Sequence, residues 1–229
     1  MLRGLKKSYQ KREMINNCNL CAEVERRPVL ESGLAYAELV ATGGNIILES
    51  ENFLVVPSVG PLDDSHVMCV PKHHVNNFSE IDSSQVGEYQ RLLDELSAFY
   101  ADRYGETLIF FESGAGRISK YSGGCIVHAH IHCLMDSEDF HRRILDEIPM
   151  NIVECVRSAA DVERGYVWYR DGKGVNYLRN DPLLPSQFLR YIYAETTSKN
   201  SRWNWRRHIN EEGIFRVIDR YRDLGNKLN

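Results

Sequence analysis

Short runs rich in apolar residues, separated by glycines and polar turns, mark the first half of the chain and predict strands at residues 35–42, 46–48, 53–56 and 66–70. Gly43-Gly44 and the polar run at 49–52 separate the first three as turns, so the outline is an antiparallel meander. The pattern changes after Asp82 and Ser83, both suitable N-caps. Val86, Tyr89, Leu93, Leu96 and Tyr100 then recur at steps of three and four, which predicts a long helix that lays one face on the sheet and ends near Gly105. Residues 107–111 return to strand, 112–124 read as a polar, glycine-containing loop, and the β-branched, apolar run at 124–134 reads as a further strand. Residues 166–170 and 175–178 flank Asp171-Gly172-Lys173-Gly174 as a hairpin, and helices are expected around 186–194 and 212–224. The expected class is α+β, an antiparallel sheet with packed helices. A polar lead-in at 1–14 precedes a domain at 15–150, and an α/β extension at 151–229 packs on that domain.

The length of 229 residues is enough to bury a full core. No apolar run approaches the roughly eighteen residues of a membrane span, and the basic amino terminus has no apolar segment behind it, so no membrane association, a cytoplasmic location and reduced thiols are expected. A net charge of −4 argues against a general nucleic-acid footprint, and the basic clusters Arg3, Lys6, Lys7, Lys11, Arg12 and Arg202, Arg206, Arg207 read as solvated surface. Of the six cysteines, Cys69, Cys125, Cys133 and Cys155 lie in apolar patterns and are expected to act as small buried hydrophobes.

Cys18 and Cys21 stand apart as a Cys-x-x-Cys knuckle that can hold two thiolates on one tetrahedral metal. The pair needs two more donors, and His66, His73, His74 and the histidines at 128–132 are available. A redox role is the rival, but that motif expects to open a helix in a βαβ unit, and strand patterns follow here.

His128, His130 and His132 alternate within the predicted strand, so all three imidazoles share one face about 6.5–7 Å apart. One phosphate on the middle ring is then flanked by both neighbours. Val127, Ala129, Ile131 and Cys133 face the other way, into a core. The preceding loop offers Ser113, Arg117 and Lys120 as phosphate contacts, together with backbone N–H groups at Gly124 and Cys125.

The run from His128 to Leu134 resembles the signature of the histidine triad (HIT) superfamily, His-φ-His-φ-His-φ-φ with φ apolar, and Pro71-Lys72-His73-His74 is similar to that family's Pro-Lys-x-His segment. The resemblance spans about residues 15–140 and implies a HIT-like sheet that binds a nucleotide or nucleotide conjugate. By the same resemblance His130 is the nucleophile, His132 contacts the non-bridging oxygens and His66 lines the pocket. Zinc-bearing members and the related galactose-1-phosphate uridylyltransferases imply a closed structural zinc site at Cys18, Cys21, His74 and His128. Ser58 stands where adenosine-binding members carry a ribose-contacting Asp, Gly124-Cys125 where they carry Gln-Ser, and Glu112-Ser113-Gly114 where they carry Asn-Glu-Gly. His132 stands where the uridylyltransferases carry Gln, which favours hydrolysis over transfer. Transfer to a phosphate acceptor and a non-catalytic nucleotide-binding module are the alternatives, and the resemblance allows a homodimer. Beyond it, 185–190 and Trp203-Asn204-Trp205-Arg206 look like the extension of a less characterised bacterial branch. The tryptophans are expected to pack as core, and Gln187 and Arg190 to come within reach of the pocket.

Overall fold

The computed structural model describes residues 18–29, 33–118, 123–124, 126–197 and 202–225. Eight strands form one sheet: β1 (Leu48–Glu49), β2 (Phe53–Pro57), β3 (Val67–Pro71), β4 (Leu108–Gly114), β5 (Ile131–Met135), β6 (Asn151–Ile152), β7 (Tyr166–Arg170) and β8 (Asn176–Asn180). Their order is β1-β2-β3-β5-β4-β7-β8-β6, and every neighbouring pair is antiparallel. The class is α+β, as expected from the sequence.

Helices cover both faces, which is why β2 and β3 are buried along their whole length and read as continuous apolar runs. On the first face Phe53, Val55, Cys69, Phe110, Ile131 and Cys133 meet Leu92, Leu93, Leu96, Phe99 and Tyr100 of helix α3 (Val86–Tyr104). Each such Leu or Phe contributes on the order of 1.5–3 kcal/mol of hydrophobic stabilisation. The helix ends where expected, with Gly105 in the left-handed conformation at φ 66°. On the second face Leu54, Val56, Met68 and Val70 pack on α1 (Asn19–Val24). Farther along that face Ile109, Phe111, Leu134, Val167 and Tyr169 pack on α4 (Glu138–Glu147) and α6 (Phe188–Thr196). Residues 151–229 therefore add three strands to the sheet and a helix to this second face.

Residues 35–42 depart from the strand expectation and fold as helix α2 (Leu34–Thr42). Alanines, Leu39 and Glu38 favour helix, Tyr36 and Val40 one turn apart are both fully buried, and Gly43-Gly44 caps the helix instead of turning a hairpin. Residues 112–114 are not loop but the end of β4, because β7 pairs with them as far as Gly114 and Tyr166. The run at 124–134 is strand only from Ile131. Continuing the β3–β5 register would set Ala129 opposite Pro71, which has no N–H to give, and the Pro71 carbonyl instead accepts from His128 Nε2 at 2.8 Å. Cys155 is exposed at the start of the short helix α5 (Val156–Ala159), not buried, because that turn lies on the rim of the sheet beyond β6. Helix α4, absent from the pattern reading, starts at Ser137, whose Oγ accepts from Phe140 N. The carboxy-terminal helices are α7 (Glu211–Arg220) and α8 (Arg222–Gly225).

Candidate functional site

Cys18 caps α1 and Cys21 lies in its first turn, so the knuckle does open a helix, although one that leads into α2 rather than a βαβ unit. His74 follows the end of β3, and the bond from His128 to Pro71 holds the fourth donor beside it. Cys21 Sγ lies 3.2 Å from His74 Nδ1 and 3.4 Å from His128 Nδ1, and Cys18 Sγ lies 3.5 Å from His128 Nδ1. The four donor atoms all lie within 4.8 Å of one another. Zinc bonds of about 2.3 Å to sulfur and 2.0–2.1 Å to nitrogen would separate tetrahedral S and N donors by about 3.5 Å, so the cluster fits. His128 donates through Nε2 to a carbonyl and so turns a lone pair at Nδ1 toward the sulfurs, the tautomer a metal requires. The Cys21 thiol bonded to the Cys18 sulfur holds Cys18 well below the usual thiol range and pushes Cys21 above it. His73, one residue from His74, is exposed and outside the cluster. The structure thus carries a Cys2His2 group able to hold a metal.

The other two triad histidines are fixed by their hydrogen bonds. His130 Nδ1 lies 2.7 Å from the carbonyl of His128, so Nδ1 carries the proton and Nε2 keeps the ring's lone pair. His132 is fixed through His66. The Leu62 amide donates to His66 Nδ1 at 3.1 Å, which leaves the His66 proton on Nε2, and that proton is donated to His132 Nδ1 at 2.8 Å. The one proton of His132 is therefore on Nε2. The rings of His130 and His132 meet edge-on with centroids 4.8 Å apart, and Phe111 supports His132 at 4.8 Å. Burial pushes His130 down to about 4, against the bond to the His128 carbonyl, and the positive charge of Arg190 adds to the fall. Burial also holds His132 and His66 well below the usual imidazole range. All three rings are neutral at pH 7.

His130 and His132 share a cavity with Ser58, Ser113 and Gly124, each expected at the site, and with Val59, Met68, Phe111, Gly123 and Ile126. The extension supplies Gln187, Leu189, Arg190 and Trp205 to the same wall. His66 is not on the cavity wall but stands behind His132. Arg117 is elsewhere: its guanidinium pairs with Glu80 at 2.6 Å and Glu163 at 3.0 Å, and its backbone N–H bonds to Val162. Lys120 and Cys125 lie outside the described residues. Trp205 is buried among Tyr36, Val40 and Ile214, the packing role expected of it, and it also closes the cavity. The Leu62 amide and the Gly60 carbonyl, which orient His66 and Arg190, carry no side-chain signal that a sequence reading could find.

A buried antiparallel α+β sheet carrying three hydrogen-bond-fixed histidines beside a Cys2His2 cluster defines the class of protein. Residues 6–144, more than half of the chain, match the model of the family described as "Protein similar to CwfJ C-terminal", and the chain belongs to that family. None of the curated proteins matches the chain. Similar solved structures include a hypothetical protein from Leishmania major, with 16% identity over 54% of this chain and 76% of that one at a TM-score of 0.41. A HIT family protein from Bacillus subtilis matches with 16% identity over 52% and 72% at 0.39. A HIT family hydrolase from Clostridium thermocellum matches with 21% identity over 53% and 92% at 0.35. Among the described residues no helix is long and apolar enough to cross a membrane.

Proposed function

We propose that the chain is a nucleotidyl hydrolase or transferase that works through a covalent nucleotidyl-histidine on His130. The observation that carries this reading is the pair of opposed tautomers in one cavity: a lone pair at His130 Nε2 beside a donor at His132 Nε2. In the first step Nε2 of His130 bonds to the α-phosphorus of a phosphoanhydride, phosphoramidate or phosphodiester. The bond from phosphorus to the leaving group breaks, and the leaving group takes the electron pair. The His128 carbonyl, already bonded to Nδ1–H, stabilises the positive ring that results. His132 Nε2–H donates to a non-bridging oxygen. Water, which loses its proton to solvent, or a phosphate acceptor then attacks phosphorus, the P–N bond breaks, and its electron pair returns to Nε2.

His132 and His66 are neutral, with no second proton to give, and the His66 proton is held in its bond to His132, so neither is a ready acid. Leaving groups that depart as stable anions, such as phosphates, suit this site better than amines, which favours anhydride substrates. Cys18, Cys21, His74 and His128 would hold a structural zinc that cross-links α1, the end of β3 and the triad segment. The triad-bearing domain at 15–150 would thus carry the chemistry, with the extension as its cover.

Turnover of dinucleoside polyphosphates, nucleoside phosphoramidates and nucleotide sugars by wild type and His130→Ala tests the reading. The expected result is turnover of an anhydride that falls by about a thousandfold or more in the variant, as loss of a nucleophile demands. Equal turnover by both proteins would contradict it.

A further inference from the structure

The sheet builds one half of the cavity over His130 and the extension builds the other, and about 30 Å³ remains between them. That is space for a water molecule or two. A small-molecule ligand occupies roughly 300 Å³ or more, so a nucleotide reaches His130 only when the extension's half draws back. Among the described side chains in that half, Arg190 alone carries a charge. It lies on α6 and is 3% exposed. Nε donates to the Trp203 carbonyl at 3.0 Å, Nη2 to the Gly60 carbonyl at 2.6 Å, and Nη1 to Ser58 Oγ at 3.3 Å.

The Ser58 bond is the longest of the three, and Ser58 is itself on the cavity wall. Two carbonyls help to aim the guanidinium, and Nη1 meets a hydroxyl that is itself on the cavity wall. A buried guanidinium on the wall of the cavity that also carries His130 and His132 makes it attractive to an anion, and the planar fork matches two oxygens of a phosphate.

We propose that Arg190 is the phosphate-binding residue of the His130 site: on ligand entry Nη1 leaves Ser58 for the non-bridging oxygens of the phosphate that His130 faces, while Nη2 and Nε stay on Gly60 and Trp203. The proposal deepens the nucleotidyl-transfer reading and rests on it for the identity of the anion. The extension is then part of the active site, and closing it over substrate brings the cation in. Gln187 supplies the latch. It sits in the left-handed conformation at φ 63°, its backbone N–H donates to the Gly123 carbonyl at 2.5 Å, and its side-chain carbonyl accepts from Trp205 N at 3.2 Å. A non-glycine residue held there stores backbone strain, which makes this junction a natural place to open.

The test is calorimetric titration of inorganic pyrophosphate into wild type, Arg190→Gln and Arg190→Lys, with thermal unfolding of each, and a separate assay of wild type for the His130 adduct with a dinucleoside polyphosphate. Wild type should bind, Arg190→Gln should lose affinity by about tenfold or more, and Arg190→Lys should fall between. Wild-type affinity in a folded Arg190→Gln, or no pyrophosphate binding by wild type at millimolar concentration, would overturn the proposal. If Arg190→Gln does not fold, the Arg190 Nε–H signal in nitrogen-15-labelled wild type decides. A shift that saturates with pyrophosphate supports the assignment, and an unmoved signal under saturating pyrophosphate overturns it. Arg190-dependent binding without any His130 adduct would reject covalent catalysis and leave the anion site standing.

Discussion

His66 Nε2 lies 2.8 Å from His132 Nδ1, and the proton between them belongs to His66, because its other nitrogen already accepts from the Leu62 amide. The backbone at Leu62 thus decides which nitrogen of His132 is a donor, two rings away. His66→Ala removes the partner that sets this tautomer and should lower kcat/KM by about 10–100-fold, mainly through kcat, while His66→Gln, whose amide can donate to the same nitrogen, should recover part of the loss. Steady-state kinetics of the two variants check this. Unchanged kcat in His66→Ala would detach His66 from the chemistry.

The pH profile follows from burial. His130 attacks only when its ring is neutral, and its ordinary value of 6.5 is brought down to about 4. Protonation is therefore delayed to acid pH. The kcat/KM profile should stay flat from mildly alkaline pH to about pH 5 and fall below that. An acid limb centred at the ordinary imidazole value would show a solvated His130.

Metal loss should act on stability as well as activity. The purified chain should contain about one zinc, and Cys21→Ser should lose the metal and several kcal/mol of stability together, since the site joins α1 to the triad segment. Metal analysis and chemical denaturation measure both. Full metal retention in Cys21→Ser would move the site elsewhere.

Glu112 gives a stability test remote from catalysis. It accepts from Phe78 N at 2.9 Å and from Tyr166 Oη at 2.5 Å, yet burial outweighs both bonds and pushes its carboxyl from 4.5 up to about 8. The fold therefore prefers the protonated acid. Its contribution is fully present below pH 4.5, declines as pH rises and is lost above about 8. Glu112→Gln should match wild type at acid pH and exceed it at pH 9 by up to a few kcal/mol, read as the difference between their denaturation curves. A constant difference at all pH would mean that Glu112 does not titrate in this range.

The long helix α3, the hairpin of β7 and β8 and the Cys18–Cys21 half of the metal cluster were legible because each rests on spacing: steps of three and four, a glycine-bearing turn, and a Cys-x-x-Cys knuckle; His74 and His128 were singled out as its other donors only by the family resemblance. Residues 35–42 misled because Tyr36 and Val40 satisfy both a period of two and one helical turn, and only burial against Ile214 and Trp205 decides between them. The end of β4 was hidden because its partner strand lies more than 50 residues downstream. Arg117, apparently placed by its loop to meet phosphate, is claimed by Glu80 and Glu163, carboxylates far from it in sequence. The histidines were evident as a pattern, but their protonation was not, since backbone groups at His128 and Leu62 set it.

The most direct test of His130 as nucleophile is intact-mass measurement of wild type and His130→Ala, mixed briefly with a dinucleoside polyphosphate and quenched in alkali, where a phosphorus–nitrogen bond survives. The expected result is a mass gain of one nucleotidyl group in wild type, mapped by peptide fragmentation to His130 and absent from the variant. Turnover with no adduct at any quench time, or an equal adduct in His130→Ala, would contradict covalent catalysis at this residue.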